Sequence, residues 1–302
     1  MSQNDFGEFL AGIREKIESA ASISSEKDIN YGHQFTVLQG GAKVSLNVYN
    51  GKKGRRLVWS GDSSLQEKLR AAVEGRAAAA EACALPESGG QWAGSDESGK
   101  GDFFGPLAVA AVVADGGTEA RLRQAGVKDC KLLTDKKILE LEEVIKSSVI
   151  DYCVLVLKPK IYNMRYEQVA AQGGKLNRLL GLGHIAALSQ VLERCPECRS
   201  ALIDQFTASD ENIHALGQKF PGRSFRQQPK AESDLAVAAA SVLARAAFLH
   251  NMEELAKEAG EPELPKGGGE AATACARRLA GRLGREALRN FVKLHFANYR
   301  RV

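Results

Sequence analysis

The sequence has no long hydrophobic run that would suggest a membrane-spanning segment. Its longest apolar stretch covers residues 106–114, nine residues, whereas a spanning helix needs about 20. The first ten residues are acidic and polar and lack a basic segment, so they do not resemble a signal peptide. We therefore expect no membrane association and a cytoplasmic location.

Cysteines are few and form no pattern that predicts cross-links or a metal centre. The six cysteines are scattered over 302 residues, and a chain of this length does not need a disulfide framework. Two of them form a CPEC sequence at 195–198, but no second pair and no histidine at zinc spacing accompanies it. We expect reduced thiols, as in cytoplasmic proteins generally.

The sequence also lacks a strong charge imbalance. Lys and Arg number 41 and Asp and Glu number 37, which leaves a net charge of +4. With 44% hydrophobic and 26% charged residues, the composition is that of a globular protein and excludes a disordered chain. The small positive charge does not by itself predict nucleic-acid binding, but it suits a partner that carries phosphate.

The first 85 residues predict a small α+β domain. Apolar residues recur at helical spacing near the start, and β-branched or alternating segments follow. Asn50-Gly51 is typical of a hairpin turn. A stretch rich in Pro, Ser and Gly at 86–92 predicts a linker, which gives domains over residues 1–85 and 93–302. The predicted elements are a helix over 1–26, strands over 34–38, 43–49 and 56–60, and a helix over 64–84.

The rest of the chain alternates strands and helices, which predicts a layered α/β domain. Its strands are apolar runs of the kind that are buried on both faces. If the last two helices are continuous, four arginines between 278 and 289 share one helical face. The predicted elements are strands at 106–114, 150–157 and 201–203 and helices near 135–147, 175–193, 234–257, 271–283 and 285–295.

The densest chemical signal is the sequence GSDESGKGDFFGP at 94–106. A strand is predicted to end at Asp96 and Glu97, and carboxylates at a strand end can share a hard divalent cation such as Mg²⁺. Gly99 and Gly101 would let the backbone approach a sugar or phosphate closely, and Lys100 would add a phosphate contact. The alternative is a solvated turn, which uses Asp and Gly for steric reasons alone.

Two further acids fit the same site. Asp204 closes an apolar run and so lies at a carboxyl end of a strand, where open α/β sheets place their sites, although it could also be a helix cap. Glu232 begins an Ala-rich helix, with Asp234 as the alternative for the same role. Four carboxylates without histidine suit two magnesium ions that act on a phosphodiester, and they do not suit zinc.

A basic stretch lies in the small domain, and the aromatic residues Tyr49 and Trp59 lie within or next to it. Basic and aromatic side chains on a sheet form a surface that binds nucleic acid. The alternative is an ordinary sheet edge on which charges prevent aggregation. The basic residues are Lys43, Lys52, Lys53, Arg55 and Arg56.

Several segments of the second domain form an ordered series. They are GSDESGKGDFFGP (94–106), VKDCKLLTDKKI (127–138), KLNRLLGLGH (175–184), LIDQF (202–206), KAESDLAVAAASVLAR (230–245), LPKG (264–267) and KLHFAN (293–298). In this order they resemble the motifs of the type 2 ribonucleases H, and specifically of bacterial ribonuclease HIII. Cys130 is a departure, because the family usually has Ser there.

The resemblance implies an RNase H-like mixed sheet flanked by helices, with a small N-terminal α+β domain similar to the TATA-binding protein. It implies an endonuclease that cleaves the RNA strand of RNA/DNA hybrids to 3′-hydroxyl and 5′-phosphate ends, with two Mg²⁺ or Mn²⁺ ions as cofactors. Nothing in the sequence requires an oligomer, so we expect a monomer. The alternatives are incision at single ribonucleotides in duplex DNA, as in ribonuclease HII, and a non-catalytic hybrid-binding protein.

The resemblance also assigns residues. Asp96, Glu97, Asp204 and Glu232 occupy the family's four acidic, metal-binding positions. Gly99, Lys100 and Gly101 occupy the motif that recognises the ribose 2′-hydroxyl, the group that distinguishes RNA from DNA. Ser98 and Lys131 are expected to bind substrate as well, and so are the basic residues of the small domain.

Overall fold

The computed structural model describes residues 3–51, 54–74, 90–207, 209–229 and 231–302. The chain divides into two units, residues 1–84 and residues 85–302. The linker predicted at 86–92 begins outside the described residues, which resume at Gly90. Its last two residues, Gln91 and Trp92, already belong to the first strand of the second unit.

The first unit is an antiparallel sheet of four strands with two helices. Its elements are α1 (Gln3–Glu18), β1 (Ile23–Ile29), β2 (Gly32–Gln39), β3 (Ala42–Gly51), β4 (Gly54–Gly61) and α2 (Ser63–Glu74). The predicted helix over 1–26 is wrong beyond Glu18, and β1 was not predicted, because its five central residues are exposed and polar. The last part of the second predicted helix, 75–84, lies outside the described residues.

Alternation along the strands decides which face of this sheet is covered. Val44, Leu46 and Val48 on β3 are buried and pack in one cluster with Ile17 of α1 and Leu69 of α2. Because successive side chains of a strand point to opposite faces, the odd-numbered residues of β3 face away from the helices. One face of the sheet therefore packs against the helices. On the other face, called the open face below, the described side chains of β3 are partly or fully exposed.

The second unit is built on a mixed sheet of five strands in the order β7-β6-β5-β8-β9. Its strands are β5 (Gln91–Ser98), β6 (Leu107–Ala114), β7 (Asp151–Leu157), β8 (Cys198–Asp204) and β9 (Ser224–Gln228). The first three strands pair antiparallel, whereas β8 runs parallel to both β5 and β9. The short β9 was not predicted; each of its residues is only partly buried.

Helices cover both faces of this sheet. The helices are α3 (Gly116–Ala125), α4 (Asp135–Ser148), α5 (Pro159–Ala171), α6 (Leu176–Arg194), α7 (Glu211–Lys219), α8 (Leu235–Ala259) and α9 (Glu270–Leu283). α8 packs with α3 and α4 on one face, and α6 packs with α5 and α7 on the other. α8 approaches β5 at Gly94, where a Cβ atom would lie 2.2 Å from the Val237 nitrogen. This close approach places the first turn of α8 against the middle of β5.

α8 is long enough and apolar enough to cross a membrane by length and composition alone. Its best 18-residue window has a mean hydropathy of 1.4, and 72% of that window is buried inside the protein. The helix passes this test because Ala, Val and Leu pack it against the sheet and against α4. It therefore serves as the central core helix of the second unit.

The C-terminal segment departs from the predicted helix at 285–295. α9 ends at Leu283, and Gly284 has a φ of +86°, which stops the helix. A 3-10 helix, Arg285–Asn290, follows, and Val292 then forms an antiparallel bridge with Phe104. The arginines on either side of Gly284 therefore do not share one helical face.

The five cysteines that the structure describes are all free, and Cys83 lies outside the described residues. Cys195 and Cys198 are both buried. Burial raises the pKa of Cys198 to about 11. A protonated, buried thiol packs as a small apolar group, so the CPEC sequence contributes to the core.

Candidate active site

The four predicted acids lie at one end of the sheet, where β5 and β8 reach their carboxyl ends. Because β5 and β8 are parallel and Ser95 lies opposite Ile203, the next residues, Asp96 and Asp204, lie side by side near the carboxyl ends of the two strands. Asp204 Oδ1 accepts a hydrogen bond of 3.1 Å from the Ala231 nitrogen, which holds the turn that carries Glu232. The acids therefore gather at the carboxyl ends of β5 and β8, as expected for an open α/β sheet.

Asp96 and Glu97 point to opposite faces of β5, because they are consecutive residues of a strand. Asp96 is 5% exposed and lies opposite Ala110, on the face that α8 covers. Burial raises the pKa of Asp96 well above its usual range, and the negative charges of Glu97 and Asp204 raise it further. Burial also raises the pKa of Asp204, with a smaller contribution from Glu232. The site thus concentrates negative charge that the protein does not fully neutralise.

Glu97 is held by a buried histidine on α6. His184 Nε2 lies 3.1 Å from Glu97 Oε2, and His184 Nδ1 lies 2.9 Å from Ser95 Oγ. A neutral imidazole satisfies both partners if Nε2 donates to the carboxylate and Nδ1 accepts the hydroxyl proton. Lys100 Nζ lies 3.5 Å from the other oxygen of Glu97. Burial opposes ionisation of Glu97, but these two partners outweigh it and lower its pKa.

Glu232 is paired with Lys131, which approaches from the turn at Cys130–Leu132. The Lys131 Nζ to Glu232 Oε1 distance is 2.5 Å, and the lysine side chain remains 68% exposed. Burial opposes ionisation of Glu232, but the Lys131 ammonium outweighs it and lowers the pKa. The Cys130 backbone N–H donates to Ser241 Oγ at 3.2 Å, which ties this turn to α8.

Asp234, the alternative to Glu232, is already used by the fold. It caps the start of α8, where Oδ1 accepts hydrogen bonds from the Ala236 and Val237 nitrogens at 2.9 and 3.1 Å. The same oxygen also accepts from Trp92 Nε1 at 3.3 Å. An aspartate that caps a helix in this way stabilises the helix start. Glu232, in contrast, makes its side-chain contact with a lysine that can move.

The donor set suits a hard divalent cation, because it consists of carboxylate oxygens without thiol or imidazole ligands. As the side chains stand, however, no three Asp, Glu, His or Cys side chains within the described residues are arranged to hold one ion. In this arrangement, Lys100 and His184 contact Glu97, and Lys131 contacts Glu232. Binding of a metal would require Glu232 to exchange the ammonium for the ion.

The loop after β5 contains two glycines with different structural requirements. Gly99 has a φ of +89°, and a Cβ atom there would lie 2.2 Å from the Pro106 oxygen, so the fold requires glycine. Gly101 has no positive φ, and nothing lies within 4 Å of the position where its Cβ atom would be. The fold therefore does not explain glycine at 101, whereas close approach of a ligand would. Ser98, also in this segment, is 9% exposed.

The predicted basic surface of the first unit is divided between the two faces of its sheet. Lys43 is an odd-numbered residue of β3 and lies on the open face, and Arg56 shares that face because it pairs with Tyr49. Arg55 pairs with Asn50 on the opposite face, where its guanidinium lies 4.5 Å from the Phe9 ring of α1. Lys52 and Lys53 lie outside the described residues.

Two aromatic contacts at the site were not predicted from the sequence. Phe206 stacks on His184, with ring centroids 5.0 Å apart and an interplanar angle of 11°. Lys100 Nζ lies 5.8 Å from the same Phe206 ring. The sequence motifs GLGH and DQF contain His184 and Phe206, but spacing alone does not show that α6 brings the histidine to Glu97.

A family model for ribonuclease HII matches residues 93–299. Ribonuclease HIII from Protochlamydia amoebophila (strain UWE25) is 39% identical over 203 residues, which are 67% of this chain and 65% of that protein. Ribonuclease HIII from Bacillus cereus (strain ATCC 10987 / NRS 248) is 40% identical over 210 residues, which are 68% of this chain and 66% of that protein. The match thus spans slightly less than two thirds of the length of these relatives.

Solved structures resemble the fold over most of the chain. Bst-RNase HIII in complex with Mn²⁺ is 29% identical, with a TM-score of 0.64 over 97% of this chain and 94% of that chain. Aquifex aeolicus RNase H3 is 23% identical, with a TM-score of 0.56 over 97% of each chain. The predicted fold class, a mixed sheet flanked by helices with a small N-terminal α+β domain, is confirmed by this likeness.

Proposed function

Since this chain belongs to the ribonuclease HII family, we propose that it is an endonuclease that cleaves the RNA strand of RNA/DNA hybrids. The products would carry 3′-hydroxyl and 5′-phosphate ends. The proposal rests on four carboxylates that lie at one end of the sheet. Next to them is a loop in which the fold does not explain the glycine at 101. Cytoplasmic location and a monomeric state stay predictions.

The carboxylates of Asp96, Glu97, Asp204 and Glu232 are proposed to hold two Mg²⁺ or Mn²⁺ ions. When bound there, such ions would stabilise the negative charge that develops on the attacking and leaving oxygens of the phosphodiester. His184 would keep Glu97 ionised and oriented by donating to one of its oxygens. The hydrogen bond from Ala231 would do the same for Asp204.

The lysines and the glycine loop are proposed to bind the substrate. Lys131 and Lys100 neutralise Glu232 and Glu97 in the free protein, and each is exposed enough to turn towards a phosphate. Peptide groups at Gly99 and Gly101 would contact the ribose 2′-hydroxyl, with Ser98 adjoining them. In the first unit, the sheet face with Lys43 and Arg56 would bind the nucleic-acid backbone. Arg55 lies on the opposite face and is left out of this surface. Binding by Lys52 and Lys53, which lie outside the described residues, stays a prediction.

The test is cleavage of three labelled substrates: an RNA/DNA hybrid, a DNA duplex, and a DNA duplex with one embedded ribonucleotide. Each is incubated with Mg²⁺, Mn²⁺ or EDTA, using wild type, Asp96→Asn and Asp115→Asn. Asp115 is a matched control because it caps α3 after β6, at the opposite end of the sheet. Asparagine caps a helix equally well. We expect metal-dependent cleavage of the hybrid, abolished by Asp96→Asn and retained by Asp115→Asn.

Other outcomes would change the proposal. Efficient cleavage at the single ribonucleotide would move the specificity towards that of ribonuclease HII. Binding of the hybrid without cleavage under any divalent ion would indicate a binding protein on a nuclease fold. Full activity of both Asp96→Asn and Asp204→Asn would disprove the proposed site.

A further inference from the structure

Lys293 is a lysine with no exposed surface, and it lies in the C-terminal segment rather than among the proposed catalytic residues. Its Nζ donates hydrogen bonds of 2.8 Å to the backbone oxygens of Asp102 and Gly105. The ring of Tyr162 lies 5.5 Å from the same ammonium. Both side-chain hydrogen bonds of this lysine therefore go to the backbone of a single loop.

That loop is the direct continuation of the segment proposed to recognise the ribose. Residues 99–101 are followed by Asp102, whose carboxylate accepts a hydrogen bond of 2.6 Å from the Gly267 nitrogen. The Lys293 backbone N–H donates to the Phe103 oxygen at 2.8 Å, and the Gly105 N–H donates to the Phe291 oxygen at 3.0 Å. The C-terminal segment thus pairs with the loop like a short strand. The Lys293 ammonium links the two ends of this pairing by binding the oxygens of Asp102 and Gly105.

Stability alone is a poor reason for a lysine at this position. Removing an ammonium from water costs free energy that two carbonyl partners offset only in part, and burial lowers the pKa of Lys293 to about 7. Its chain neighbours Phe291 and Val292 and its backbone partner Phe103 belong to one buried apolar cluster, in which an apolar residue would pack without that cost. An apolar residue could not, however, donate hydrogen bonds from one atom to the carbonyl oxygens of residues 102 and 105.

We infer that Lys293 is a positioning residue that fixes the backbone of the loop at 99–105 for recognition of ribose. The inference rests on the proposed function, and it adds a residue that touches neither the metal site nor the substrate. Gly99 and Gly101 follow directly after Asp96 and Glu97 in the chain. A shift of the loop would therefore move the ribose contacts relative to the carboxylates.

The test compares Lys293→Met, Lys293→Gln and the control Lys257→Met. Lys257 is an exposed lysine of α8 that forms an ion pair with Glu253. For each variant, urea unfolding, kcat and KM on the hybrid are measured, together with the affinities for hybrid and for DNA duplex in EDTA. We expect Lys293→Met to lower kcat/KM by about 10- to 100-fold, as for a small misplacement of binding groups. The preference for hybrid over DNA duplex should fall, with unchanged affinity for DNA duplex.

Lys293→Gln keeps an amide NH2 group as a hydrogen-bond donor. It should therefore restore part of kcat/KM and part of the preference for hybrid. A folded Lys293→Met protein with wild-type kcat/KM and wild-type preference for hybrid would overturn the inference while leaving the proposed function intact. If neither variant folds, Lys293 serves folding alone and the inference is also overturned. If the wild type cleaves no hybrid, the proposed function fails first and the inference fails with it.

Discussion

At the scale of single residues, Asp96 is a carboxylate that the fold buries to 5% exposure. Its nearest hydrogen bond is from the Glu97 backbone nitrogen at 2.7 Å, which an asparagine Oδ1 can also accept. We expect Asp96→Asn to raise the free energy of unfolding in EDTA near neutral pH by about 1–2 kcal/mol, within the usual range for one substitution. Urea unfolding at several pH values measures this difference.

The sign of the pH dependence follows from the raised pKa of Asp96, which burial causes. A folded state that holds this proton more tightly than the unfolded state loses stability as pH rises from the usual aspartate pKa through the raised value. The advantage of Asp96→Asn should therefore be small near pH 4 and complete above the raised pKa. Asp115→Asn, whose parent carboxylate has a lowered pKa, should show no such gain. Equal stability of wild type and Asp96→Asn at every pH would contradict the expectation.

At the scale of elements, the loop after β5 separates a structural glycine from a functional one. Gly99→Ala should reduce stability by about 1–3 kcal/mol, because its φ is positive and the Pro106 oxygen blocks a side chain. Gly101→Ala should leave stability unchanged or slightly higher, because the position is open. We nevertheless expect Gly101→Ala to lower kcat/KM on the hybrid. Thermal unfolding and hybrid cleavage of both variants decide this, and a fully active Gly101→Ala would show that no ligand approaches there.

Near the start of α8, a structural acid and a proposed metal ligand lie two residues apart. They are Asp234 and Glu232. Asp234→Asn keeps Oδ1 for its three donors and removes the charge, so it should retain cleavage. Glu232→Gln should lower kcat by at least about 100-fold, because it removes a proposed metal ligand. Cleavage assays of the two variants, with unfolding as a check, measure the contrast. The reverse result would assign the fourth metal ligand to Asp234.

Elements that bury a continuous apolar surface were predictable from the sequence, and exposed or interrupted ones were not. The strand at 107–114 is apolar along its whole length, so its position was predicted within one residue. β1 was not predicted, because an exposed edge strand shows no alternation of apolar and polar residues. The helix predicted at 285–295 failed because the positive φ of Gly284 stops α9 in a segment that otherwise suits a helix.

The site shows the same division. Asp204 could be placed at a strand end because it closes an apolar run, and Asp96 and Glu97 because two adjacent acids followed by glycines are conspicuous in a sequence. The contacts of Glu97 with His184 and of Lys293 with the loop could not be predicted, because they join residues 87 and 188 or more positions apart. Such contacts depend on the order of strands in the sheet, which local spacing does not encode.

At the scale of the whole molecule, charge is the link between the first unit and the proposed substrate. A protein that binds a polyanion releases counterions, so its affinity falls with salt in proportion to the phosphates it contacts. On the open face of the first sheet, Lys43 and Arg56 are exposed and positively charged, whereas Arg55 packs against Phe9 on the other face. The double variant Lys43→Ala/Arg56→Ala should therefore bind hybrid more weakly.

The dependence on salt distinguishes phosphate contact from a general loss of structure. Removal of two phosphate contacts should reduce the slope of log affinity against log salt by about two, with kcat nearly unchanged because the carboxylates lie in the other unit. The control is Lys68→Ala/Arg70→Ala, which removes two positive charges from α2 on the helical face. Fluorescence anisotropy with labelled hybrid at several salt concentrations measures both slopes. If the two double variants lower the slope equally, the open face has no special role and only the net charge of the unit matters.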